Sequence, residues 1–183
     1  MGRVRLYYKD LSEIVGGKGF SVVRLTDAEE QRAISVICDK AMTDQLLIRI
    51  NRVPGYGQML PEVLSQMLMA EGPGDLELMV YDIVDGQYCT TLLNTRTLML
   101  KSIRISDAVL LHYLSKIPFY IEENLMQRQC SPYSPDSRGI SIPINTIDTE
   151  RLNQELERAI AVEDYRLASH LHEELQKRQK GKE

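Results

Sequence analysis

Between Arg104 and Ala108 the sequence reads RISDA, placing a guanidinium, a hydroxyl and a carboxylate together where a strand-like run gives way to a helical one. Two readings fit these residue types. In the structural reading, Ser106 is the N-cap and Asp107 sits in the first turn, where a carboxylate suits the helix dipole. Arg104 then pairs with Asp107 or a neighbouring acid. In the chemical reading, Asp107 holds a divalent metal and Arg104 grips a phosphate through its planar fork. Other acids lie apart in sequence: Glu62, Asp82 and the pair Glu122-Glu123. Glu62 and Asp82 read by default as solvated acids, and Glu122-Glu123 as either ligands or a polar strand end. Glu62 joins the chemistry only if the fold carries it to Asp107.

Histidine and cysteine chemistry has less support. His112 stands alone, and His170 and His172 are two apart on an expected helix, so they point different ways. Cys38, Cys89 and Cys130 are widely spaced and odd in number, which is neither a disulfide framework nor a zinc pair. Cys38 and Cys89 fall in apolar runs and read as small core residues. The net charge is −4, and neither part of the chain is basic: residues 1–147 hold 17 acids and 15 bases, residues 148–183 hold 9 and 7. Any nucleic-acid binding must therefore use a local patch or a metal, not the overall field. No apolar run approaches the roughly 18 residues of a membrane span. The beginning, MGRVRLYYKD, has no apolar signal region, so a cytoplasmic location is expected.

The elements that must position the RISDA stretch follow from periodicity. FSVVRLT at 20–26 and AISVIC at 33–38 predict two strands, and 40–53 predicts a helix carrying Leu46, Leu47, Ile50 and Val53 at helical spacing. VPGYG breaks it. A second helix is expected from Pro61, presenting Leu64, Met67 and Leu68, and ended by the glycines of 72–74. LELMVYDIV and QYCTTLL flank Asp85-Gly86, the preferred two-residue hairpin loop. A strand over 98–105 leads into a helix from Ser106, with Leu110, Leu114 and Ile117 on one face and His112, Ser115 and Lys116 on the other. Pro118 ends that helix, and FYI at 119–121 predicts a short buried strand.

Residues 1–130 thus predict an α+β domain with a mixed, largely antiparallel sheet and packed helices. Residues 131–147, with three prolines and five Ser or Thr, read as a linker or an arm lying on the domain. Residues 148–179 predict a helical hairpin broken at Val162–Asp164, with Glu163 and Asp164 starting its second helix. Leu152, Leu156, Ala159 and Ile160 form one stripe; Tyr165, Ala168, Leu171 and Leu175 form the other. So short a hairpin needs a covering surface, which points to a protein partner.

Two resemblances rest on these residues. The run from VYDIVDGQYCTTLL through IRISDAVLLHYLSKIPFYIEENL resembles the bifunctional nuclease family, through Arg104, Ser106, Asp107 and Ala108, then Pro118, Phe119, Ile121, Glu122 and Glu123. What that resemblance implies is metal-dependent cleavage of DNA and RNA with Mg2+ or Mn2+. Asp107 and Glu62 would be the metal acids, and Arg104 and Ser106 would bind the substrate. It also implies a homo-oligomer. Where the family pattern carries further acids and a histidine, this chain has Ser102, Met42 and Pro61, so a non-catalytic binding protein is the alternative. RLNQELERAIAVEDYRLASHLHEELQKRQ at 151–179 resembles the UVR motif of UvrB, UvrC and McsA, through Leu152, Leu156, Ala159, Glu163, Asp164, Tyr165, Ala168, Leu171 and Leu175. In that motif the hairpin docks on another protein, which assigns Leu152, Leu156, Tyr165, Leu171 and Leu175 to partner binding here.

Overall fold

A computed structural model describes residues 2–14, 20–71, 73–134 and 143–180. Gly72 and positions 135–142 of the arm lie outside the described residues. Among those described, an eight-stranded mixed sheet is accompanied by six helices, the last two a C-terminal pair, so the α+β expectation holds. The chain divides into two compact units, residues 1–82 with 89–140 and residues 83–88 with 141–183.

The strands are β1 (Arg3–Glu13), β2 (Ser21–Thr26), β3 (Arg32–Cys38), β4 (Leu76–Val84), β5 (Gln87–Asn94), β6 (Met99–Ile103), β7 (Phe119–Glu122) and β8 (Ser131–Pro132). Their order is β6-β5-β4-β7-β1-β2-β3-β8. The pairing of β4 with β7 is parallel, while β1 pairs antiparallel with both β2 and β7. A register shift between Tyr8 and Asp10 interrupts the alternation of β1, which makes this central strand hard to read from sequence. The helices are α1 (Lys40–Ile50), α2 (Leu60–Glu71), α3 (Ile105–Ser115) and α4 (Glu123–Gln129). α3 packs on β1 and β3; α1 packs on α3 and β3, and α2 packs on α3. Between α3 and the sheet lies a core that includes Leu6, Val36, Val109 and Phe119. Cys38 is a core residue as expected, and burial pushes its thiol up to about 12.

Three local expectations are corrected. α3 begins at Ile105 with Arg104 as its N-cap, so Ser106 is a first-turn residue rather than the cap. His112 and Ser115, expected on the face opposite Leu110 and Ile117, are buried together with them; His112 Nδ1 donates to the Ile117 carbonyl at 2.8 Å. Leu64 and Met67 of α2 face solvent, and the inward positions are taken by Glu62 and Ser65. The Glu122-Glu123 pair starts α4: the Glu122 carboxylate caps it by accepting from the Leu125 N–H at 3.2 Å, and Glu123 pairs with Arg32.

In the second unit, α5 (Thr149–Ala161) and α6 (Tyr165–Lys180) form the expected hairpin. Asp148 caps α5, and Asp164 accepts from the Leu167 N–H at the start of α6. Leu152, Ala159, Ala168, Leu171 and Leu175 are the core, with Ile144, Ile147 and Leu156 packed against it. The β4–β5 loop belongs to this unit. Asp85 and Gly86 both have positive φ, 50° and 79°, as the expected type I′ loop requires. A Cβ on Gly86 would stand 2.3 Å from the Ile147 carbonyl oxygen, so close approach as well as backbone conformation demands glycine. Thus the expected arm is divided: its first residues, Ser131–Pro132, add a strand to β3, and its last belong with the hairpin.

Candidate functional site

The RISDA corner is built by β6 ending at Ile103 and α3 starting at Ile105. Arg104, extended at φ −64° and ψ 142°, gives its carbonyl to the Ala108 N–H. Its guanidinium grips Asp107 with two hydrogen bonds, Nε to Oδ2 at 2.7 Å and Nη2 to Oδ1 at 3.2 Å. The pair is open to solvent. That hydrogen bond, then the charge of Asp107, holds Arg104 above its ordinary value, and Asp39 adds to the effect. Asp39 caps α1 by accepting from the Met42 N–H at 2.8 Å. The corner therefore presents one guanidinium and one carboxylate paired at the surface, with Ser106 half-buried beside them. Asp39 was not among the residues singled out from sequence. Its capping role was legible there; its influence on Arg104 of the neighbouring helix was not.

Glu62 has a different setting. It is buried in α2 against Arg49 of α1, with Arg49 Nε 2.6 Å from Oε1 and Nη2 donating to Oε2 at 2.7 Å. Arg49 Nη1 is further held by the Gln45 carbonyl and side chain. The carboxylate is thus ion-paired through both oxygens, with Oε2 accepting a hydrogen bond and Oε1 in charge contact alone. A divalent ion there would have to displace Arg49 and leave a guanidinium buried without its partner. Glu62 does not fit the part of metal ligand. Asp107 is likewise held by a cation, both of its oxygens accepting from Arg104, but in a pair that lies open to solvent. Among the described residues, no three His, Cys, Asp or Glu side chains come together as a metal-binding group.

The hairpin residues assigned to a partner separate in the same way. Leu152, Leu171 and Leu175 are buried in the hairpin's own core and Leu156 packs against it, whereas Tyr165 is 69% exposed. The accessible apolar side chains cluster at the turn between α5 and α6: Ile160, Val162, Tyr165 and Leu167, with Val162 74% exposed. Of the two stripes legible in the sequence, Ile160 and Tyr165 are thus exposed and the rest form the hairpin's internal seam. Compared with known proteins, the chain matches no protein-family model and no curated protein.

Proposed function

We propose that this chain works by docking on another protein through its C-terminal hairpin, and that its first unit is a bifunctional-nuclease-type domain without nuclease activity. The observation that carries the reading is the exposed cluster at the hairpin turn. Val162 and Tyr165 are held out by a packed two-helix core, so the surface is formed before any partner arrives. Tyr165 is the anchor, a side chain that offers a large contact area at small entropic cost. Leu152, Leu156, Leu171 and Leu175 act from behind it, by fixing the turn. The UVR resemblance supports the same use of the hairpin. Among the described residues no helix is long and apolar enough to cross a membrane, and a cytoplasmic location is part of the proposal.

The test is capture with the purified full chain from its native source, followed by reconstitution of the binary complex from purified components. Titration calorimetry should give saturable binding that weakens at least about tenfold, or 1.4 kcal/mol, when Val162→Glu and Tyr165→Glu are combined. Equal affinity for the folded double variant would refute the docking surface.

A second reading is favoured by the open corner. A divalent-metal nuclease acting on DNA or RNA would use Arg104 on the phosphate, Ser106 as a further donor, and Asp107 with Asp39 as the acids for Mg2+ or Mn2+. Glu62 would have no part in it.

A further inference from the structure

The two edges of the sheet are treated differently. At one end the last strand is β8, only two residues long and ending in Pro132, which has no N–H to offer a further strand. At the other end β6 pairs with β5 alone, and among the described residues no strand lies beyond it. Met99, Leu100, Lys101 and Ser102 are all exposed, and Leu98, which leads into the strand, is 76% exposed. Leu98 also takes the left-handed φ of 57°, a conformation that favours glycine, so an unfavourable backbone holds an apolar side chain in water. The Lys101 carbonyl faces β5, where it accepts from the Thr91 hydroxyl at 3.2 Å. Neighbouring residues of an antiparallel strand turn their N–H and C=O to opposite sides, so those of Leu100 and Ser102 point away from the sheet.

We propose that β6 receives an added strand from another protein, an extended apolar segment that carries an acidic residue opposite Lys101. Outward N–H and C=O groups along an edge are matched in spacing by a second extended chain; a helix has already used its own backbone groups, and a nucleic acid offers no such ladder. Lys101 decides which chain. It stands at the centre of β6 and is the strand's sole charged side chain. Two copies of β6 crossing antiparallel about a two-fold axis would set Lys101 against Lys101, and like charges directly opposite one another destabilise a strand pair. A carboxylate there does the reverse. Leu98, Met99 and Leu100 meet the apolar side chains of the incoming strand. This edge lies in the first unit and is separate from the docking hairpin, so either surface can fail without the other.

The test is amide exchange of the full chain, followed by NMR, with a short blocked peptide of alternating valine and threonine bearing one central glutamate. In the chain alone the Leu100 and Ser102 amides should exchange quickly. Saturating peptide should slow both at least about tenfold. The same peptide N-methylated throughout, which cannot donate to the ladder, should give no protection. Changing its glutamate to lysine should weaken binding at least about threefold, and Lys101→Glu should reverse that preference. Slow exchange of Leu100 and Ser102 in the chain alone would overturn the proposal and give the edge to a second copy. Unslowed exchange with the glutamate peptide at millimolar concentration, or equal protection by the N-methylated one, would overturn it too. An unchanged preference in Lys101→Glu would overturn the acidic partner.

Discussion

Arg49 and Glu62 meet inside the helical layer with Nε 2.6 Å from Oε1, their side chains 1% and 7% exposed. Each is the other's main compensation for leaving water, and removing either strands a charge. Glu62→Ala should destabilise the first unit by about 3–5 kcal/mol in urea unfolding. The paired replacement Arg49→Met with Glu62→Leu should recover most of that loss. If Glu62→Ala instead leaves stability unchanged, the pair is not what orients α2.

His112 gives the fold a pH dependence. Burial, assisted by the charges of Lys116 and Arg5, holds its imidazole below the ordinary value, against the opposing hydrogen bond to Ile117. As pH falls through about 6.5 the unfolded chain takes up a proton that the folded chain resists, so stability drops with acidification. Thermal unfolding between pH 7.5 and 5, on the order of that window, should show Tm falling in the wild type and falling less in His112→Asn. Parallel slopes would assign the acid sensitivity to other groups.

Gly86 should tolerate no side chain. Its left-handed φ of 79° alone costs an alanine about 1 kcal/mol, and the added carbon would collide with the Ile147 carbonyl. Gly86→Ala should therefore lower the stability of the second unit, seen as faster amide exchange in α5 and α6. Unchanged exchange would mean that the loop does not approach Ile147 in solution.

Within the hairpin, core and surface apolar residues should behave differently. Leu171→Ala removes a side chain that is 2% exposed and should cost about 2–5 kcal/mol. Tyr165→Ala should change stability by less than about 0.5 kcal/mol while measurably weakening partner binding. Equal destabilisation by both would contradict the division between internal seam and docking turn.

Periodicity made most of the elements legible. The Asp85-Gly86 hairpin and the α5–α6 break follow from local chemistry and lie where the sequence places them. β1 escaped because its alternation is interrupted at the shift between Tyr8 and Asp10, and α4 because it is short and directly follows β7. The cap of α3 lies two positions before the expected one: Arg104, not Ser106, is the extended residue, and no side chain caps the helix. At the site, the local Arg104–Asp107 pair was readable, being three residues apart. Arg49–Glu62 was not, since it joins two helices across a break, and a partner thirteen positions away leaves no periodic signal. The inside-out rotation of α2 follows from that pair, so it too was hidden.

The most direct test of the central claim, that the acids of the nuclease resemblance are held in ion pairs and the chain acts by docking, is a nuclease assay. Purified full chain and Asp107→Ala would be incubated with single- and double-stranded DNA and RNA in Mg2+ or Mn2+. The account predicts no metal-dependent cleavage by the folded wild type. Cleavage that requires the metal and disappears in Asp107→Ala would contradict it and make the Arg104–Asp107 corner an active site.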